Sequence, residues 1–169
     1  SIGTFLVASL CGPIAGAITG AINSFISAIS WPTALAYLPV VVAYGLIVGA
    51  LAKKKWMTKV GTALLTGLIV ATVGLILATP ITALVFGGIA ETGQTVLILG
   101  LQSMGFGLIP ATLISGFFME VIDKVLSIMI TYAIIKVMSD RYLSKLPLGP
   151  LYYKKAYAAQ ASLEDEDDN

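Results

Sequence analysis

The chain has 169 residues, of which 57% are hydrophobic and 11% are charged, and its formal net charge is +1. The first 119 residues carry only five charges: four lysines in the stretch Lys53–Lys59, and Glu91. Uncharged runs of this length exclude a soluble domain and predict a membrane protein with several spans of ~20 residues each. The chain has no histidine and one cysteine, Cys11, which excludes an internal disulfide and disfavours zinc, haem and histidine-based catalysis.

The apolar runs predict a series of helices before residue 87. Proline removes a helical hydrogen bond and glycine relaxes the backbone, so we expect a break at Cys11–Gly12–Pro13. A second break is expected at the link Ser30–Thr33, which holds the interfacial aromatic residue Trp31. The predicted helices are a short one at 2–11 and longer ones at 14–29, 34–52 and 60–86.

The basic residues predict the orientation. Loops rich in lysine and arginine stay cytoplasmic, so Lys53–Lys59 marks an inside turn and the loop at 87–93 is expected outside. The C-terminal segment is also expected inside, which requires an odd number of crossings between residues 94 and 138. We expect a short re-entrant or interfacial helix at 94–105 and one long crossing at 110–138. Two full crossings are the alternative, and they would put five basic residues outside: Lys136, Arg141, Lys145, Lys154 and Lys155.

The predicted fold class is therefore all-α: a polytopic membrane helical bundle with four to five spans and one short re-entrant or interfacial helix. Residues 1–140 form the transmembrane domain, and residues 141–169 form a cytoplasmic tail that is first basic and then acidic. The chain begins at Ser1 without a methionine or a signal-peptide pattern, so we expect further residues upstream.

Gly12, Gly16 and Gly20 repeat every four residues and would form one smooth helix face. In lipid, small residues let helix backbones approach closely, and such faces drive helix association. Two interpretations stay open at this point. The face packs within the bundle, or it binds another membrane subunit.

Glu120, Asp123 and Lys124 bring ionisable groups into the last predicted crossing. Their spacing lets Lys124 pair with Glu120, with Asp123 alongside. Charged groups at membrane depth cost ~2.5–3.5 kcal/mol each on insertion scales, so they face protein or water. The trio is either a self-neutralised structural cluster, a sign that the helix lies shallower, or a polar lining that contacts a ligand or a subunit.

Further polar groups are expected near the outer leaflet. Tyr37 and Tyr44 share one helix face and would stack on a flat ring, although aromatic residues near span ends also serve as interface anchors. Glu91 and Thr92 fall in the outside loop, where exposure to solvent alone would also explain their polarity. The candidate ligand-binding residues are Asn23, Tyr37, Glu91, Thr92, Gln94 and Gln102.

Three segments together resemble a known transporter family. They are CGPIAGAITGAINSF, PITALVFGGIAETG and EVIDKVLSIMITYAIIKVMSDRYLSKLPLG, and the resemblance covers most of residues 5–149. It rests on a Gly-Pro-x-x-Gly-x-x-x-Gly pattern, a Phe-Gly-Gly loop, and an Asp-Lys pair about a dozen residues before a basic helix end. In these features the chain resembles the substrate-binding S components of energy-coupling factor (ECF) vitamin importers.

The resemblance implies six helices with both termini cytoplasmic, in the plasma membrane of a prokaryote. It implies a vitamin or similar small nutrient as ligand, with Glu91 and Thr92 in a gate. The implied partners are an ECF transmembrane coupling subunit and two ATPase subunits. The first helix of that family, which carries an Ala-x-x-x-Ala-type stripe, has no counterpart in this sequence.

We therefore expect a binding and transport subunit without catalytic activity, cofactor or nucleic-acid partner. No nucleotide-binding loop is present, so energy would come from partners. The alternative is a membrane sensor or scaffold subunit that assembles with another membrane protein and transports nothing. A small membrane enzyme acting through Glu120 and Asp123 is disfavoured, because no nucleophile with a nearby base accompanies them.

Overall fold

The computed structural model describes residues 1–87 and 92–153, without the side chains of Thr92 and Gly93. Over these ranges the chain is helical and contains no strand, which confirms the all-α prediction. A 3-10 turn at Pro32–Tyr37, a π-helical turn at Ile81–Val85 and a 3-10 turn at Gly149–Tyr152 join or follow the helices. The α-helices are α1 Ile2–Cys11, α2 Pro13–Ser30, α3 Leu38–Lys53, α4 Val60–Pro80, α5 Thr92–Ser103, α6 Leu108–Val137 and α7 Asp140–Leu143.

Three helical stretches in the described ranges are long and apolar enough to cross a membrane: Pro13–Ser30, Pro32–Lys53 and Val60–Val85. They coincide with three predicted spans. The ten residues of α1 extend for ~15 Å, about half of a ~30 Å hydrocarbon core. The longest helix is α6, with 30 residues, and it carries charged residues in its middle. The predicted total of four to five spans thus requires that α6 crosses the membrane, and a fifth span requires that α1 is part of a crossing.

Prolines explain where the structure differs from the predicted helix bounds. The helix predicted at 34–52 begins at Leu38, because Pro39 is accommodated only in the first helical turn. The helix predicted at 60–86 is α-helical as far as Pro80 and then widens into the π-helical turn. Pro80 has no N–H for the carbonyl four residues earlier, and its ring presses against that turn.

The break between α1 and α2 is present where the sequence predicted it. Gly12 has φ 97°, a backbone conformation that other residues rarely adopt, and Pro13 begins α2. Pro13 has no N–H to offer the carbonyl of Ser9. The hydroxyl of Tyr152 donates to that carbonyl instead, at 3.0 Å, and the N–H of Leu148 donates to the carbonyl of Leu10 at 2.8 Å. The segment after α6 therefore caps α1.

The same contacts define one end of the bundle. A Cβ built on Gly12 would lie 3.6 Å from Cε of Lys53 and 4.0 Å from Cδ1 of Leu148. The lysine turn and the C-terminal segment therefore meet at one end, hereafter the basic end. This agrees with the predicted arrangement of the two basic regions relative to each other.

Glycines set the distance between α2 and α3. A Cβ on Gly16 would lie 2.8 Å from the carbonyl oxygen of Gly45, and a Cβ on Gly20 would lie 2.9 Å from the carbonyl oxygen of Val41. Real Cβ atoms do not approach so closely, so the two backbones are in direct contact at these points. Gly16 and Gly20 thus serve internal packing. Gly12 lies outside the helical face predicted for it, because it forms the break before α2.

A second close pair is formed by α4 and α6. A Cβ on Gly67 would lie 3.1 Å from the Cα of Val125, and buried small residues continue along the same side of α4 at Ala63 and Ala71. The α2–α3 pair and the α4–α6 pair are bridged by α1, which contacts α2, α3 and α6.

The short helix predicted at 94–105 is α5, a 12-residue helix that packs against the first half of α6. Ile98 is its fully buried contact residue. A Cβ on Gly116 would lie 3.4 Å from Nε2 of Gln94, so α5 begins beside the interior of α6 and runs antiparallel to it. At ~18 Å, α5 is too short for a full crossing.

Candidate functional site

The most distinctive polar group of the described residues lies between α3 and α6. Tyr44 donates a hydrogen bond through its hydroxyl to Oε2 of Glu120, at 3.0 Å. The ammonium of Lys124 lies 3.3 Å from the same oxygen and also donates to Oδ2 of Asp123. We call Tyr44, Glu120, Asp123 and Lys124 the polar cluster. The predicted pairing of Lys124 with Glu120 is present in it.

Four helices pack around the Tyr44 and Lys124 side of the cluster. The ring of Phe5 in α1 lies edge-on against that of Tyr44, with the ring centroids 6.3 Å apart. The missing side chain of Gly74 in α4 leaves the space that the Tyr44 hydroxyl occupies. The ammonium of Lys124 also lies over the Tyr44 ring, 4.9 Å from its centroid, where the π face attracts a cation. Lys124 is only 6% exposed as a result.

The depth of the cluster follows from helix geometry. Tyr44 lies nine residues before Lys53, hence ~14 Å from the basic end, and Lys124 lies twelve residues before Lys136, ~18 Å along α6. Both distances are about half of the ~30 Å thickness of the apolar layer of a membrane. In such a layer ionisable groups mark ligand or ion pathways, or contacts between subunits.

The charges of the cluster do not cancel. Two carboxylates share one ammonium, so together they carry one net negative charge. The side chain of Glu120 is 22% exposed, whereas that of Asp123 is 55% exposed. A cation or a hydrogen-bond donor approaching from the Asp123 side would therefore find an acceptor that Lys124 alone does not neutralise.

One of the predicted ligand residues lies close to the polar cluster, and a second lies two turns away from it. Gln94 lies beside Gly116, one turn along α6 from Glu120. Tyr37 lies two turns before Tyr44, near the far end of the bundle. The hydroxyls of Tyr37 and Thr82 are hydrogen-bonded at 2.8 Å.

The Tyr37 ring also stacks on Phe86, with centroids 5.8 Å apart and an interplanar angle of 22°. Phe86 of the same chain thus stacks on the Tyr37 ring, which was expected to stack on a flat ligand ring. Thr82 and Phe86 were not among the predicted site residues, although both belong to the PITALVFGG segment.

The remaining predicted ligand residues lie on α2, on α5 or outside the described residues. Asn23 is exposed on α2, next to the exposed side chains of Ile22 and Ile26. Gln102 is half-buried at the end of α5. Glu91 lies outside the described residues, as does the side chain of Thr92.

An open apolar recess lies at the basic end of α6 and contains none of the predicted ligand residues. Its lining consists of Ala133, Ile134, Val137 and Met138.

The sequence analysis singled out Tyr44 for its aromatic ring and did not predict the hydrogen bond of its hydroxyl. It was grouped with Tyr37 as an aromatic face, whereas its hydroxyl bonds a carboxylate 76 positions later in the chain. The available signal was chemical: a tyrosine hydroxyl in the middle of an apolar span needs a partner, and Glu120 is one of the few acceptors at that depth.

No protein-family model, curated protein or solved structure matches this chain. The interpretation of the site therefore depends on its own residues and geometry.

Proposed function

We propose that the chain is an integral membrane subunit that binds a small nutrient, of the kind found in ECF-type vitamin importers, and that partner ATPases energise its transport. The observation that carries the proposal is the polar cluster, a set of hydrogen-bonded ionisable groups inside an apolar helical bundle. Groups at such a depth are retained where they serve a ligand, an ion or a partner.

The arrangement of the bundle supports the proposed topology. In it, α6 is a fourth crossing, α5 is re-entrant, and α1 is the end of a further crossing. The lysine turn and the segment after Met138 then lie on the cytoplasmic side of a prokaryotic plasma membrane. Six of the ten basic residues are in these regions and are described: Lys53, Lys54, Lys55, Lys59, Arg141 and Lys145.

The proposed ligand path enters from the end opposite to the basic end. Tyr37 and Thr82 line its rim, and Gln94 continues it beside Gly116 towards Glu120. The hydroxyl, amide and carboxylate groups along this line suit a small ring compound with several hydrogen-bonding atoms. Stacking of Tyr37 on Phe86 would open when a flat ligand inserts between the rings.

The first test is mass spectrometry of small molecules released from the purified protein. The expected result is one vitamin-like compound, present in proportion to the protein and absent from a mock purification. A protein that folds and carries no such compound, and binds none from a panel of vitamins, would favour the sensor or scaffold alternative.

The second test locates the site by titrating the released compound onto variants. Glu120→Gln and Gln94→Ala each remove a hydrogen-bonding partner, and the loss of ~1–3 kcal/mol weakens binding about five- to 150-fold. Asn23→Ala is the matched control, because its exposed position predicts unchanged affinity. Equal affinity in all three variants would place the ligand elsewhere.

A further inference from the structure

One exposed face of α6 has the residue spacing of a helix–helix contact. Positions 119, 123, 126, 130, 133 and 137 are separated alternately by four and three residues, and each is exposed. This is the heptad spacing of a face that packs along a second helix. The exposed fractions include 57% for Leu126, 37% for Ile130 and 86% for Val137. We call these six positions the α6 stripe.

The stripe has a single polar residue, Asp123. The other five are Met119, Leu126, Ile130, Ala133 and Val137. Ala133 and Val137 also line the open apolar recess, which gives the stripe a groove near the basic end. A lone polar residue in an otherwise apolar heptad face specifies which helix binds there and in which register.

Lipid alone is an unsuitable neighbour for this stripe. The side chain of Asp123 is 55% exposed, and α6 places it about 20 Å from Lys136, near the middle of the apolar layer. A charge at that depth is unfavourable unless another group covers it.

A second copy of the chain is also disfavoured. Two stripes packed about a two-fold axis would bring two net-negative clusters together, since Glu120 and Asp123 share Lys124 in each copy. Like charges at close range are unfavourable, and in a layer of low dielectric they are strongly so. The charge of the stripe calls for a cation.

We propose that the α6 stripe binds an apolar transmembrane helix of another membrane subunit, and that this helix carries one lysine or arginine at the level of Asp123. The partner's cation completes the cluster to two carboxylates and two cations. Its small or apolar side chains fill the groove at Ala133 and Val137. The glycine face of α2 is unavailable for this role, because Gly16 and Gly20 contact α3. The proposal needs α6 to cross the membrane, as in the proposed function, but it does not depend on the ligand.

The test is site-specific crosslinking in native membranes with a benzophenone side chain. The probe is placed at Ile130 in the stripe, and at Ile22 on the exposed apolar face of α2 as the control. Mass spectrometry of the adduct from position 130 should identify a peptide from an apolar helix with a lysine or arginine. The control position should not yield that peptide.

Charge changes then test the role of Asp123. Asp123→Asn should lower the yield of the position-130 adduct about fivefold, the effect of losing ~1 kcal/mol between helices in a membrane. Asp123→Lys should abolish the adduct, and replacing the partner's cation with glutamate should restore it. Restoration also shows that the variant is folded.

An adduct confined to lipid, to a second copy or to the protein's own polypeptide would overturn the proposal, as would an unchanged yield for Asp123→Asn. Ala133→Trp changes the stripe outside the polar cluster, so its adduct yield and its ligand titration together separate this result from the proposed function. Loss of the adduct with retained ligand binding supports the partner site alone, and retained adduct without any ligand contradicts only the transport assignment.

Discussion

Gly16 lies at a close contact between α2 and its neighbours α1 and α3, and this contact allows a quantitative test with a single methyl group. In Gly16→Ala, the new Cβ would lie 2.5 Å from Cβ of Ala8 and 2.8 Å from the carbonyl oxygen of Gly45. Ordinary contacts between such atoms are ~3.5–4 Å, so α2 must move away from α1 and α3 by about 1 Å. Overpacking of this kind costs ~1–3 kcal/mol.

Gly61→Ala is the matched control. Gly61 lies in the first turn of α4 and has no atom within 4 Å of the position of an added Cβ. Replacing glycine with alanine in a helix contributes up to ~1 kcal/mol of intrinsic helix stability in both variants. The difference between the variants therefore isolates the steric term, and Gly61→Ala should be at least as stable as the parent protein.

The assay is thermal unfolding in one mild detergent at one scan rate, followed by loss of the monodisperse elution peak. For a chain of this size, 1 kcal/mol corresponds to ~2–4 °C. The transition of Gly16→Ala should lie roughly 2–12 °C below that of Gly61→Ala, on the same conversion. Equal transitions, or a more stable Gly16→Ala, would refute the direct backbone contact between α2 and its neighbours.

Three further predictions follow from the capping segment, the basic end and the polar cluster. Tyr152→Phe leaves a buried carbonyl at the end of α1 without its donor, so the same assay should show a loss of ~1–3 kcal/mol, and an unchanged transition would contradict that bond. Lys54→Cys and Ser144→Cys, each with Cys11 replaced by alanine, should resist an impermeant thiol reagent on intact cells and react after permeabilisation. Reaction of both in intact cells would reverse the proposed orientation. Lys124→Met leaves two carboxylates without their ammonium and should lower folded yield more than any other single change in the cluster, whereas near-normal yield would show that the site is open to water.

Local features of this fold were predictable because they depend on neighbouring residues. The break at Gly12–Pro13 and the pairing of Lys124 with Glu120 are set by backbone chemistry and by spacing along one helix. The shortness of α5 followed from counting charges on the two sides of a membrane. The first two inferences need only the sequence within a few turns, whereas the third uses the basic residues on either side of α5 in the chain.

The contacts that build the site were not predictable in the same way. The bond from Tyr44 to Glu120 requires the rotation of α3 relative to α6, and a nearly uniform apolar helix gives no amphipathic pattern from which to read that rotation. The glycine face of Gly12, Gly16 and Gly20 was recognised from the sequence, but its contact with Gly45 in α3 was not. Several other glycines in the chain could have formed that contact, and only the packing of the helices shows which one does.

Two kinds of contact hold the bundle together: close backbone contacts at glycines within helix pairs, and side-chain contacts between the pairs. Glycines bring α2 against α3 and α4 against α6, where backbone contacts allow little change of distance. Between these pairs, α3 and α6 are joined by the bond from Tyr44 to Glu120, whose geometry depends on two side chains and on the ammonium of Lys124. A group that competes for Glu120 would alter the contact between the pairs before it altered either pair. The proposed ligand path ends at Glu120 and the α6 stripe includes Asp123, so ligand and partner would act on two carboxylates that share Lys124.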